Sequence, residues 1–276
     1  MDKTLLGKAT AYIDKLDANL LYPIPRQIKR EELGIDAKSL PFTGFDIWNA
    51  YEMSWLNSKG KPNVAIGTFK IPCQSPKIIE SKSFKLYLNS YNQSQFTGIE
   101  QVQQQLETDL SEACGQTLTV ALQHVDEFNN FSCDSLKGTL IDDLDIDVDC
   151  YQYTPQLLQD CCQGAQKEET LVSHLLKSNC LVTGQPDWGS VQIHYRGRQL
   201  NRMALLKYLI SFRKHQEFHE QCVERIFIDL MHYGQFDFLS VYARYTRRGG
   251  LDINPFRSSK INTLESDPIN VSMIRQ

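Results

Sequence analysis

The chain has 276 residues, of which 41% are hydrophobic and 22% charged, and a net charge of −4. That length accommodates two modules, the composition is that of a globular protein, and the acidic balance argues against a nucleic-acid surface. No run of about 18 apolar residues is present to span a membrane.

Met1 to Asp17 alternates charge with short apolar pairs and lacks the apolar stretch of a signal peptide, so a cytoplasmic protein is expected. In that reducing compartment the eight cysteines should be mostly free thiols, and the neighbours Cys161 and Cys162 follow no zinc-ribbon spacing.

Phe45 to Leu56 and Asn63 to Ile71 are rich in aromatic and β-branched residues, and the turn chemistry of Asn57 to Pro62 between them predicts a hairpin. Two helices should follow, over Ser83 to Tyr91 and Ile99 to Glu112. In the second, Ile99, Val102, Leu106 and Leu110 share one face. Gly115 would end it, and Thr117 to Val125 reads as a strand. In Gly138 to Cys150, Leu140, Leu144, Ile146 and Val148 alternate with Asp143, Asp145, Asp147 and Asp149. These carboxylates lack the glycine and terminal Glu of a calcium loop, so the segment is expected to be a strand with one solvated face. Polar Gln163 to Glu169 reads as a surface connection. Ser190 to Tyr195 is then a strand, Asn201 to Arg213 and His219 to Tyr233 are helices, and Phe238 to Tyr245 is a strand.

The two halves repeat one another. Phe84 to Tyr91 matches Leu205 to Phe212 at an offset of 121. Glu100-Gln101 and Asp109-Leu110 match Glu220-Gln221 and Asp229-Leu230 at 120, and Gly115-Gln116 matches Gly234-Gln235 at 119. Matches in order, with an offset that drifts one residue at a time, indicate a duplicated module. The expected fold is α+β: two tandem modules, residues 1–137 and 138–276, each an antiparallel sheet with two helices on one face.

Four segments carry residues suited to chemistry. Cys180 is followed seven residues on by Asp187, across a Gly/Pro loop that could display a reactive thiol; the plainer reading is a structural cysteine. At Glu217-Phe-His219-Glu220-Gln-Cys222, His219 and Cys222 share a helix face and could join Cys180 in an open three-ligand zinc site. The plainer reading there is carboxylates at a positive helix end beside a satisfied histidine. In Ile79-Glu80-Ser81-Lys82, Ser81 could cap a helix, while Glu80 could pair with two N–H groups of a heterocycle and the helix start could attract anions. Arg247-Arg248-Gly249-Gly250 could clamp phosphates or be a basic turn. No G-x-G-x-x-G follows a strand, so no Rossmann site is expected.

Taken together, Glu80-Ser-Lys-Ser-Phe-Lys-Leu-Tyr87, Leu176-Lys-Ser-Asn-Cys180, Gln185-Pro-Asp187-Trp-Gly-Ser190, Glu217 to Arg225 and Tyr242 to Pro255 resemble blocks of the 7-cyano-7-deazaguanine reductase family. The likeness is to the long two-module form, within the tunnelling-fold superfamily, and runs from about Leu20 to about Arg257. It implies an NADPH-dependent nitrile reductase of queuosine tRNA modification, which turns the cyano group into an aminomethyl group through a thioimide. Cys180 would be the nucleophile and Asp187 the proton donor. Ile79, Glu80, Ser81, His219 and Glu220 would hold the deazaguanine, and Ser81, Lys82, Arg248 and Gly249 would contact NADPH. The resemblance also implies no metal and a homodimer. Two other functions stay in view: a zinc-dependent pterin or purine hydrolase using Cys180, His219 and Cys222, and a non-catalytic binder of purine-like ligands, which would have no need of Cys180 and Asp187 together.

Overall fold

The computed structural model describes residues 12–127, 133–260, 270 and 272–276. Residues 1–11 of the N-terminal reading above therefore lie outside the described part. Among the described residues no helix is long and apolar enough to cross a membrane. The chain forms two compact units. The first takes residues 12–40, 45–127 and 247–252, and the second takes 41–44, 133–246 and the described residues from 253 onward. The short segments 41–44 and 247–252 thus group differently from a single cut at 137/138.

In the first unit, β1 (Pro23–Pro25) and α1 (Gln27–Glu32) precede the hairpin of β2 (Thr43–Leu56) and β3 (Pro62–Pro72). Then come β4 (Lys77–Ile79), α2 (Ser81–Asn89), α3 (Ile99–Cys114) and β5 (Thr119–His124). Strand β3 pairs antiparallel with both β2 and β5, and the short β1 pairs with β4. Phe84 of α2 meets Trp48 and Phe69 edge-on, each at 5.1 Å, which seats the helix on the sheet. Val102, Leu106 and Leu110 are fully buried, as the helical spacing requires.

In the second unit, β6 (Thr139–Leu140) runs parallel to β7 (Cys162–Asn179), which pairs antiparallel with β8 (Pro186–Leu200). Helices α4 (Arg202–Ser211) and α5 (His219–Gly234) follow, then β9 (Phe238–Tyr245) beside β8 and β10 (Leu251–Ser258) beside β9. The α+β class with antiparallel sheets and helices is the one expected.

The duplication is visible bond by bond. Helices α3 and α5 have 16 residues each and both end at a residue of left-handed backbone, Gly115 and Gln235. The Tyr87 hydroxyl donates to Asp109 Oδ2 at 2.7 Å, and its counterpart Tyr208 donates to Asp229 Oδ2 at 2.5 Å. Ser90 Oγ donates to Tyr87 O, and Ser211 Oγ to Tyr208 O, both at 2.6 Å. Residues 80 and 201, also 121 apart, are both helix N-caps whose side chains accept two backbone N–H groups.

Three local expectations are corrected. Of Gly138 to Cys150 only Thr139–Leu140 is strand. Beyond it the Asp142 carboxylate accepts from Ser173 Oγ (2.6 Å) and His174 N (2.8 Å), so a side chain takes the place of the ladder. Gln163 to Glu169 is no connection but the exposed end of β7, held by pairing such as Glu168 with Arg196 and Glu169 with Tyr195. Its polarity reflects solvent on the strand. The cap of α2 is Glu80 and not Ser81: both Glu80 oxygens accept at 2.8 Å, from Lys82 N and Ser83 N.

Candidate active site

In the second unit the chemistry gathers at one end of the β7–β8 hairpin. Cys180 is the first residue of the turn. Its N–H donates to Gln185 O (2.8 Å) and its carbonyl accepts from Gly184 N (2.9 Å), which closes a tight loop with the thiol half-buried. Asp187 is the second residue of β8, faces Ser178 across the ladder and is 2% exposed. The segment leading into α5 is stitched to the same strand end: Asn179 N donates to His215 O and Glu217 N to Asn179 O.

His219 opens α5. Its Nδ1 lies 3.2 Å from Ile253 O, and because a carbonyl only accepts, Nδ1 must carry a proton. That leaves Nε2 to face Asp187 Oδ2 at 3.4 Å. At that distance a proton could pass between the two groups. On Asp187 it makes a neutral acid beside a neutral imidazole, and on His219 it makes an ion pair. The imidazole stacks on Tyr245, 3.7 Å between centroids and 9° between planes. Tyr245 pairs with Gly189 in the sheet, and a Cβ at Gly189 would stand 3.2 Å from its ring, so glycine there leaves room for the stack. Glu220, in the first turn of α5, is buried.

Sequence reasoning treated Glu217 as a helix-end carboxylate. It is instead 1% exposed and held in bidentate fashion by Arg225, at 2.9 and 2.7 Å, with His215 Nε2 at 3.0 Å. The signal was available in the spacing of eight residues, two helical turns and a step, but nothing local demanded it. Burial pushes the Glu217 carboxyl up, while Arg225 and His215 pull harder and hold it below the ordinary value. Its stabilisation is therefore full above about pH 4.3, the unfolded value, and is lost as the pH falls through the lower folded value. Glu217→Gln should cost roughly 3–5 kcal/mol at neutral pH, because the buried Arg225 guanidinium loses its carboxylate counter-charge, and should flatten the acid side of the stability curve. Urea titrations across acid pH check this; parallel curves for parent and variant would rule the pair out as a source of acid sensitivity.

Cys222 sits fully buried in α5, and burial first, then Glu217, pushes its thiol up to about 12. A thiolate ligand is costly there. Among the described residues no group of three His, Cys, Asp or Glu side chains is placed to hold a metal ion.

The other candidates lie in the first unit. Ile79 pairs with Pro23 in the β1–β4 ribbon, Glu80 N donates to Tyr22 O, and Tyr22 N donates to Ser83 Oγ. These bonds fix the start of α2, where Glu80 is 1% exposed and Ser81 and Lys82 are half-buried. Two of that helix's amides are already taken by Glu80, so any anion there would meet side-chain cations sooner than free N–H groups. Segment 247–252 packs on the bulge of β2. Asp252 accepts from Asn49 Nδ2 (2.8 Å) and the Tyr51 hydroxyl (2.7 Å), Tyr51 N donates to Gly250 O, and Arg247 lies 4.3 Å over the Tyr51 ring. Gly250 has φ +71, a backbone that favours glycine, and a Cβ there would fall 2.4 Å from Glu52 Cδ, so a side chain would be strained and would displace Glu52. A Cβ at Gly249 would lie 3.2 Å from Lys85 Nζ. Lys85 was not singled out by the sequence, although it belongs to the Glu80 motif one turn beyond Lys82.

The fold and these clusters define a two-module α+β protein whose second module sets a turn-borne thiol, a buried carboxylate and an imidazole at one hairpin end, and whose first brings cations around a glycine loop. Residues 12–122 match the family model described as nitrile reductase, 7-cyano-7-deazaguanine-reductase N-term, and residues 186–263 match the model described as QueF-like protein. The chain is 61% identical over 92% of its length to the NADPH-dependent 7-cyano-7-deazaguanine reductase of Cupriavidus necator, and covers 92% of that protein. It is 56% identical to the reductase of the same name from Burkholderia multivorans, over 98% of this chain and 97% of the other. The chain belongs to the 7-cyano-7-deazaguanine reductase family.

Proposed function

We propose that this chain reduces the nitrile of 7-cyano-7-deazaguanine to the aminomethyl group with NADPH, in the queuosine tRNA-modification pathway. The observation that carries this is identity of 61% across 92% of both chains with a relative bearing that name.

The Cys180 sulfur attacks the nitrile carbon, one C≡N π bond becomes a C–S bond, and the nitrogen takes a proton to give a thioimide. Asp187 is the donor: buried, and facing His219 Nε2, it can hold the shared proton as a neutral acid and release it as negative charge develops on nitrogen. His219 then keeps the carboxylate from standing alone. NADPH, when bound, supplies the hydride equivalents, two per nitrile. Ser81, Lys82, Arg248 and Gly249 would hold it, and the fit is electrostatic: Lys85 Nζ beside Gly249 adds a further cation to those of Lys82 and Arg248, as phosphate groups require. Purified protein given the nitrile should oxidise two NADPH for each amine formed. Arg248→Ala should raise the KM for NADPH far more than that for the nitrile and narrow any preference over NADH, because a phosphate contact is lost. Equal efficiency of the parent with NADH would remove the basis for that assignment.

Ile79, Glu80, Ser81, His219 and Glu220 bind the base. Each Glu80 oxygen accepts one backbone N–H and keeps a second lone pair for a ring N–H donor. Glu80→Ala should weaken base binding by about one to two decades, the roughly 1–3 kcal/mol cost of unpaired buried donors. It also removes the α2 cap, so Glu80→Gln, which keeps an accepting oxygen for the helix, serves as the companion variant. Undiminished affinity in both would place the base elsewhere.

The module division at 137/138 is the proposed boundary of the duplication. The enzyme works in the cytoplasm, on two soluble small molecules, as a homodimer, and a monomer by analytical ultracentrifugation would contradict the last point.

A further inference from the structure

Outside the residues assigned above, Cys161 and Cys162 form an unusual pair. Side chains of successive residues in a strand point to opposite faces. Here Cys161 lies just before β7, which begins at Cys162 after the left-handed backbone of Asp160 (φ +54), so strand alternation does not separate the two. The Sγ atoms are 3.6 Å apart. Two thiolates on one tetrahedral zinc, with bonds of about 2.3 Å, would stand about 3.8 Å apart. The pair is therefore preset to the spacing of a dithiolate chelate.

The surroundings decide what it would hold. Among the described residues no third His, Cys, Asp or Glu joins the two sulfurs. A zinc-type ion would lack half of its ligands, whereas a monosubstituted trivalent arsenic needs only two sulfurs besides its carbon. A cavity of about 570 Å³ reaches Cys161 itself, which is otherwise buried, and its walls include Leu144, Leu200 and Met203 beside Asn201 and Arg202. It has the size of a small-molecule pocket, and among walls that also carry Asp160, Gln163 and Gln199, the side chains of Leu144, Leu200 and Met203 offer an organic substituent apolar contacts. Cys162 remains partly exposed. The hydrogen bond between the thiols holds Cys162 below its ordinary pKa and, with burial, raises Cys161, so a nucleophilic thiolate is favoured at the more accessible sulfur.

We propose that Cys161 and Cys162 form a binding site for monosubstituted trivalent arsenicals, chelated by both sulfurs with the organic group in the adjoining cavity. With an organoarsenic oxide, two As–S bonds form, the bonds from arsenic to oxygen break, and the two thiol protons leave with the oxygen as water. Arsenic stays trivalent, so no oxidant or reductant is needed. The chelate sits at the entrance to α4, since Asn201 N donates to Cys161 O at 2.7 Å.

The probe is phenylarsine oxide, added to the full chain in excess monothiol, which strips arsenic from single cysteines but not from a chelate. Intact-mass and peptide analysis should show one phenylarsenic group on the peptide holding Cys161 and Cys162, removable by a small dithiol. Cys161→Ser and Cys162→Ser should each weaken binding by about 100-fold or more, the gain expected when a second bond becomes intramolecular. Because Cys161 is buried and its variant could be unstable, the unmutated protein supplies a second measurement: the arsenical should protect Cys162 from alkylation. An adduct confined to other cysteines, alkylation of Cys162 undiminished, or a folded serine variant that binds as the parent does would each overturn the proposal.

Discussion

Replacing Cys180 by alanine is expected to abolish both the covalent adduct and turnover. With the nitrile and no NADPH, the parent protein should gain the mass of one substrate molecule, since addition of a thiol to a nitrile expels nothing. Cys180→Ala should gain none. Its turnover should fall on the order of 10⁶-fold, the size of loss when a covalent nucleophile is removed from an enzyme that depends on it. The contrast with Cys222 is what makes the test specific. That thiol is fully buried and pushed up to about 12, so Cys222→Ala should still form the adduct. The Cys180 loop is closed by its own backbone bonds to Gln185 and Gly184, which alanine preserves, so loss of activity would not come from a collapsed turn. An adduct persisting in Cys180→Ala would end the assignment.

Asp187→Asn should slow adduct formation by about two to four decades while leaving the fold in place. The amide has the same shape, and it can still meet His219 Nε2 as a donor, but it cannot hand a proton to the nitrile nitrogen. The sign of the pH response follows from the role: a group that must be protonated loses activity as the pH rises, so the parent's adduct rate should fall on the alkaline side and that fall should be absent from the variant. Rapid-mixing measurements of thioimide formation across pH read both effects. A variant that forms the adduct at the parent rate would require another acid, and His219, 3.4 Å away, would be the first to examine.

The elements that local chemistry controls were legible before any fold was known. The apolar face of α3 was readable because Val102, Leu106 and Leu110 recur at helical spacing, and the β2–β3 hairpin because Asn57 to Pro62 can only turn. The duplication was readable because Tyr87 and Asp109 recur as Tyr208 and Asp229, and each pair proves to be a hydrogen bond within its own unit. The first half of β7 was not legible. Gln163 to Glu169 carries no apolar alternation, and its strand exists because β8 offers it a ladder. The aspartate-rich segment erred the other way, since alternation suits a strand only where a partner strand is available.

For the candidate site the same division holds. The chain by itself determined the family, through ordered motifs, and from that resemblance come the residues proposed for chemistry: Cys180, Asp187, Glu80, His219. Only the tertiary structure decided what those side chains face. It set His219 between Tyr245, Ile253 O and Asp187, turned Glu80 into a helix cap, bound Glu217 to Arg225, and placed Lys85 beside Gly249. The physical reason is one of range. Propensity, capping and periodicity act over a few residues and are written locally, whereas a proton's position or a burial cost depends on groups that the chain brings together from 30 or more positions away, as Ile253 is from His219.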